Sequence, residues 1–235
     1  MTGPASDRLA VERRRVRSFV CREGRLTTGQ ARALETLWPR YGVDPGDAPF
    51  DRAALFGRCA RVTLEIGFGS GESLARQAEQ APEQDFIGIE VHRPGVGHLL
   101  VEMERRGLEN IRIFDRDAVE VLERCILPAS LDAVQIFFPD PWHKKRHHKR
   151  RLIQPDFVRL LASRLRPDGL LHIATDWDDY AAHVQAVMGV EDGGFRPEGP
   201  QPLPARPERR PETRFERRGL RLGHRVHDFL FRRRG

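Results

Sequence analysis

Val62 to Gly71 reads V-T-L-E-I-G-F-G-S-G. A short run of aliphatic and β-branched residues that ends in Gly67, Gly69 and Gly71 marks a strand turning sharply into a helix. Glycine takes backbone conformations closed to other residues and lets a ligand approach the chain. The start of the following helix offers unpaired N–H groups. Dinucleotide-binding loops space their glycines as G-x-G-x-x-G. Here the third glycine comes one residue early and Glu72 takes its place, which disfavours a nicotinamide cofactor. Taken alone, the loop is also accounted for as a tight strand-to-helix turn.

Beyond this loop the pattern alternates. D-F-I-G-I-E-V (85–91), N-I-R-I-F (110–114), L-D-A-V-Q-I-F-F (131–138) and G-L-L-H-I-A-T-D (169–176) read as strands. Residues 93–106, 117–126, 154–165 and 177–188 carry helical spacing, and R-P-D-G (166–169) is a turn signal that stops the third of these. Strands alternating with helices of this length imply an α/β fold, a mostly parallel sheet covered on both faces. Pro197 to Pro211 reads as a Pro-rich connecting loop, and G-H-R-V-H-D-F-L-F (223–231) as a final edge strand. Residues 1–50 lack strong periodicity. They are expected to form a basic N-terminal arm and a loosely packed lead-in, with a short helix over 28–37, ahead of one domain over 51–235.

Each of the five strands ends beside an acid: Glu65, Glu90, Asp117, Asp140 and Asp176. In open α/β sheets, ligands bind outside the carboxyl ends of the strands, where strand order reverses. Glu90, 19 residues after Gly71, is placed to accept from both ribose hydroxyls of a nucleoside. Asp117 is placed to meet an adenine amine. Any one of these acids is explained as a helix N-cap or a solvated turn residue; five in the same register are not.

The fourth strand runs into F-F-P-D-P-W-H-K-K-R-H-H-K-R-R (137–151), where one carboxylate is followed by six Lys/Arg and three His. Pro139 and Pro141 restrict the backbone on both sides of Asp140. Trp142 has two readings, stacking on an exposed base or packing in the core. His143, His147 and His148 have cationic neighbours and no interleaved acid or Cys, so no metal site is expected. The charge is segregated along the chain. Residues 1–32 hold eight Lys/Arg and three acids, 142–151 six and none, and 206–235 eleven and four. Those stretches carry +18 against a total of +6, which leaves −12 on the rest. An acidic body with basic arms fits a polyanion binder. The three cysteines, Cys21, Cys59 and Cys125, form no C-x-x-C pair, so a reduced cytoplasmic setting is expected. No apolar leader or membrane-spanning run is read in the sequence.

This arrangement resembles the seven-stranded, Rossmann-like class I S-adenosylmethionine-dependent methyltransferases, and within them the bacterial tRNA (guanine-N7-)-methyltransferase family. The resemblance rests on L-E-I-G-F-G-S-G, F-I-G-I-E-V-H, the whole 137–151 segment, T-D-W, and T-R-F-E-R-R-G-L-R-L-G-H-R-V-H-D, and spans about Arg13 to Phe231. It implies cofactor contacts from Glu65, Glu90, Asp117 and Asp140, beside the loop glycines Gly67, Gly69 and Gly71, and catalysis at Asp140. It implies substrate contacts from Lys144, Asp176, Thr213, Arg214, Phe215 and Glu216, and RNA contacts from Arg146, His147, His148, Lys149, Arg150 and Arg151. The family's T-K-F-E appears here as T-R-F-E, with a planar fork at Arg214 in place of a point charge. His227 stands where the family often has an aromatic. The cofactor implied is S-adenosyl-L-methionine, the partner tRNA, the target N7 of a guanine at position 46 of the variable loop, and a monomer is expected rather than a dimer.

Guanine N7 carries a lone pair and no proton, so its methylation needs no base to strip the nucleophile. It does place positive charge on the purine, which a nearby carboxylate stabilises. Asp140 and Asp176 are the candidates, with the division of roles between them left open. Three rival readings are weighed. A methyltransferase acting on an exocyclic amine of RNA or DNA would want a second proline directly after the first, which P-D-P-W lacks. A nicotinamide oxidoreductase is opposed by the glycine spacing. A non-catalytic RNA-binding module leaves the strand-end carboxylates unexplained.

Overall fold

The computed structural model describes Ser18 and residues 24–46, 49–190 and 193–235. Apart from Ser18, the expected basic arm up to residue 23 lies outside the described residues. Among those residues seven strands form one sheet in the order β3-β2-β1-β4-β5-β7-β6. They are β1 (Val62–Ile66), β2 (Asp85–Ile89), β3 (Ile111–Phe114), β4 (Leu131–Phe137), β5 (Leu165–Thr175), β6 (Phe195–Pro197) and β7 (His227–Arg233). The first five are parallel, and β7 runs antiparallel to both β5 and β6.

Helices α1 (Thr28–Tyr41), α3 (Glu72–Gln80) and α4 (Arg93–Arg106) cover one face, where Leu74, Leu99, Met103 and Ile111 are buried together. Helices α5 (Ala118–Arg124), α6 (Pro155–Arg164) and α7 (Asp178–Met188) cover the other, around Leu64, Val121, Phe157, Ile173 and Tyr180. α2 (Arg52–Phe56) and α8 (Arg214–Arg221) lie in the connections. Side chains alternate along β1, so Val62, Leu64 and Ile66 join the second face while Glu65 reaches Gln77 of α3 on the first.

Local signals explain where the helices begin and end. A capping box between Thr27 and Gln30 starts α1, Pro94 opens α4, and Gly107 at φ 66° closes it in the left-handed region that glycine favours. Three expectations differ from the structure. The lead-in is packed rather than loose: α1 extends to Tyr41, buries Ala33, and lies against α4. The R-P-D-G turn lies inside β5 as a bulge, with Leu131 opposite Leu165 and then Ala133 opposite Leu170. The last strand is not an edge: β7 inserts between β5 and the three-residue β6, which takes the edge.

Gly95 shows how tightly α4 seats on the glycine loop, since an added Cβ would stand 2.1 Å from the Gly69 carbonyl oxygen. Gly95→Ala is expected to push α4 from the loop and lower stability by about 1–3 kcal/mol, read by denaturant unfolding; a wild-type midpoint would contradict this packing.

Candidate active site

Strand order reverses between β1 and β4. The chain leaves β1 for the α3 face and leaves β4 for the α6 face, which opens a crevice above their carboxyl ends. A cavity of about 700 Å³ fills it, within the range that holds a nucleoside-sized ligand. Its walls come from the ends of β1 (Ile66), β2 (Ile89) and β4 (Phe137), from Gly67 and Gly69, and from the Phe138–Lys144 segment.

The glycine loop presents bare backbone at this cavity. Gly67 and Gly69 have φ of 74° and 60°, values that a side chain would strain. Glu90 holds the loop in place: one carboxylate oxygen accepts from Gly69 N at 2.9 Å, the other from Val91 N and His92 N at 2.8 and 2.9 Å. Gly71, at φ 75°, is a packing position, where an added Cβ would meet Leu99 at 2.7 Å. Behind the loop, Glu65 is 2 % exposed. Burial, and then repulsion from Glu90, pushes its carboxyl up to about 8. Gln77 donates to it at a long 3.4 Å and accepts from Gln135 at 2.8 Å.

Asp140 is exposed on the cavity wall between its two prolines. The turn that carries it is unusual at both ends, with Phe138 at φ 52° and Trp142 at φ 49°. Such conformations cost non-glycine residues roughly 1–2 kcal/mol each and persist only where surrounding contacts hold them. Those contacts are present. Phe138 N donates to Ala174 O at 2.8 Å, and Arg151 Nε donates to Pro141 O at 2.9 Å. Trp142 donates through Nε1 to Ser18 O at 3.1 Å, with the Arg150 guanidinium 4.3 Å from its ring centroid. Trp142 therefore packs at the cavity wall, half-buried.

The basic run after Trp142 forms a 3-10 helix over Lys145–Arg150. Lys144 and His147 line the cavity, so the run begins at its rim. Lys145, Arg146 and Lys149 are exposed. Partial desolvation and the surrounding cations hold His147 below the usual histidine range, so the positive charge comes from the lysines and arginines. Arg151 departs from the expected RNA-facing row. Its side chain is 2 % exposed, pairs with Asp179, and lies over the Tyr180 ring, because it reaches inward to hold the Pro141 carbonyl.

The remaining expected residues divide. Phe215 is exposed and lines the cavity beside Gly69, and Arg214 is exposed next to it. Thr213 caps α8, accepting from Glu216 N at 3.1 Å. Asp117 caps α5 through Val119 N and Glu120 N and faces a neighbouring cleft, while Arg116 and Ala118 on either side of it line the main cavity. Asp176 follows β5 and meets His224 Nδ1 at 3.2 Å. Glu216 is 4 % exposed, with both oxygens accepting from Arg210 at 2.6 and 3.0 Å, so its carboxylate points into the fold. Sequence reasoning missed Arg210, which sits in the Pro-rich loop. Among the described residues no cluster of His, Cys, Asp and Glu is arranged to hold a metal ion, and no helix is long and apolar enough to cross a membrane.

The pH dependence of stability reports on Glu65. Its folded value near 8 lies above the ordinary 4.5, so the folded protein keeps a proton that the unfolded chain releases between those limits. This group's contribution therefore falls as pH rises through that window, by roughly 1 kcal/mol per pH unit. Glu65→Gln should gain stability relative to wild type from pH 5 to pH 8 in denaturant unfolding. A difference that does not vary with pH would contradict the buried, protonated carboxyl.

Comparison with known proteins agrees with this geometry. Residues 60–229 match a family model described as "Putative methyltransferase". The chain is 57% identical to a tRNA (guanine-N(7)-)-methyltransferase of Methylococcus capsulatus over 94% of this chain and 95% of that one. It is 56% identical to the protein of that name from Alcanivorax borkumensis, over 94% and 92%. Among solved structures, the 16S rRNA methyltransferase KamB superposes with a TM-score of 0.57 at 16% identity, covering 79% of this chain and 95% of that one, which speaks to the fold. The sheet order, the cavity at its switch point and the relatives agree: this chain belongs to the tRNA (guanine-N(7)-)-methyltransferase family.

Proposed function

We propose that this protein methylates N7 of a guanine in tRNA with S-adenosyl-L-methionine as donor, at position 46 of the variable loop, in the cytoplasm. The observation that carries this reading is the shared rim. Lys144 and His147 belong both to the wall of the switch-point cavity and to the basic segment, so a ligand in the cavity and a phosphate backbone on the 3-10 helix would meet at Asp140.

The donor set fits the cofactor. Gly67 and Gly69 offer backbone without side chains, Glu90 offers a carboxylate at the end of β2, and Ile66, Ile89 and Ala118 offer apolar surface for a purine. S-adenosyl-L-methionine supplies an electrophilic methyl on a sulfonium. Glu90 places a carboxylate on the cavity wall at the end of β2, while Glu65 lies buried and protonated behind the glycine loop. Asp140 is held on the opposite wall by two prolines and by Arg151, and its carboxylate stabilises the positive charge that grows on the purine. Because guanine N7 has no proton to lose, no residue serves as general base. Most of the acceleration comes from alignment, for which the clamped turn is suited. Lys145, Arg146 and Lys149 bind backbone phosphates, and that binding weakens with salt.

The reading is tested by incubating the protein with unmodified tRNA and methyl-labelled S-adenosyl-L-methionine, then mapping label by chain cleavage at N7-methylguanine. Label at the variable-loop guanine is expected; label on an adenine or cytosine amine, or none, would overturn it. Asp140→Ala should reduce turnover by roughly a hundredfold with tRNA affinity near wild type. Replacing Lys145, Arg146 and Lys149 with Ala should weaken tRNA binding and reduce its salt dependence by about one unit of slope for each phosphate no longer neutralised.

A further inference from the structure

A buried ion cluster lies beneath the Asp140 turn and takes no part in the chemistry above. Arg210 is 1% exposed. Its guanidinium donates to both oxygens of Asp228 on β7, at 2.7 and 2.9 Å, and to both oxygens of Glu216 on α8, at 2.6 and 3.0 Å. Asp228 also meets His172 Nε2 of β5 at 2.7 Å. Burial works against the Asp228 carboxylate, yet His172 and Arg210 together hold it below the usual range. The guanidinium lies 5.8 Å from the Phe137 ring centroid and 5.7 Å from that of Phe138, the two residues that lead into the Asp140 turn. One side chain thus touches β7, α8 and the root of that turn.

Taking a guanidinium and two carboxylates out of water is an inefficient way to gain stability, and apolar replacements of such clusters are often neutral or better. What the fork does supply is direction, since its planar donors fix two carboxylates relative to each other. Glu216 is the N3 residue of α8 and completes its capping box with Thr213, so the Arg210 fork grips the first turn of that helix. Phe215 immediately precedes Glu216 and stands at the cavity mouth, 59% exposed. One turn on, Gly219 packs against Asp176, where an added Cβ would lie 2.6 Å from a carboxylate oxygen. The residue that pairs with that oxygen, His224, follows the same helix.

We propose that Arg210 is a positioning residue for the methyl-acceptor step: through Glu216 it seats α8, and α8 holds Phe215 at the cavity mouth and the Asp176 carboxylate in register with the Asp140 turn. Glu216 then acts through Arg210 and the helix rather than by touching RNA. This inference rests on the methyltransferase reading but concerns a residue outside the cavity.

The test compares Arg210→Met, Arg210→Lys and Glu216→Gln with wild type, each below its melting temperature. Turnover of unmodified tRNA is divided by the number of S-adenosylmethionine-binding sites titrated in the same sample, and kcat and KM for tRNA are separated. Arg210→Met and Glu216→Gln should lose roughly ten- to a hundredfold in kcat/KM for tRNA per binding site, with cofactor affinity little changed. Arg210→Lys keeps the charge without the fork and should recover only part of the loss. Wild-type kcat and KM per site, with nothing but a lower melting temperature, would overturn the proposal, as would a loss seen only in cofactor affinity. Should Arg210→Met fail to fold, the other two variants decide the matter. A wild-type protein that binds cofactor but leaves tRNA unlabelled would sink the methyltransferase reading and this inference with it; active wild type with unaltered variants would sink the inference alone.

Discussion

At the junction of β1 and β4 two parallel strands lie side by side, yet the chain leaves them toward opposite faces of the sheet. No backbone can cover the gap between those exits, and the cavity is that gap. The turns after β1 and β4 both have backbone held in the left-handed region: Gly67, Gly69 and Gly71 on one side, Phe138 and Trp142 on the other. On the glycine side the conformation is inexpensive, and the constraint is spatial, with α4 approaching through Gly95 until the loop cannot shift. On the Pro-Asp-Pro side the conformation is strained and must be held. Arg151 grips the turn from the α7 side and Arg210 lies under its root. Asp140 is carried by a turn tied through Phe138 N to Ala174 O, Pro141 O to Arg151 and Trp142 to Ser18 O.

Charges of both signs line the cavity: Glu90 and Arg116 beside β2 and β3, Asp140 and Lys144 after β4. Glu65 is buried against Gln77 of α3, and Lys144 carries the cavity wall into the 3-10 helix. Burial keeps Glu65 from adding a full negative charge behind the glycine loop at neutral pH, whereas Glu90 is tied to three backbone N–H groups.

Much of this was legible in the sequence because the deciding signals are local. Helical spacing places α4 at its observed limits, and the five parallel strands follow from alternation, though of the acids near their ends only Glu90 and Asp140 line the cavity. Signals that depend on distant partners were not legible. The interior place of β7 is decided by β6, a strand of three residues with no pattern of its own. The R-P-D-G turn is a bulge within β5, where Asp168 meets Arg196 and Arg232 from far along the chain. Among eleven Lys/Arg after residue 205, the nearby Glu216 is one acid among several and does not mark Arg210 as buried, since Asp228 and the Phe137–Phe138 pair that complete its surroundings are distant in sequence. Arg151 was grouped with its exposed neighbours for the same reason: its partner Asp179 lies on α7, 28 residues away.

The placement of the cofactor at the switch point is tested most directly by backbone hydrogen exchange with and without S-adenosyl-L-methionine, read by mass spectrometry. Slower exchange is predicted in peptides covering residues 66–72, 89–93 and 115–119, where the glycine loop, the Glu90 segment and the start of α5 border the cavity. Protection confined to the neighbouring cleft over 146–157, with none at the glycine loop, would contradict it.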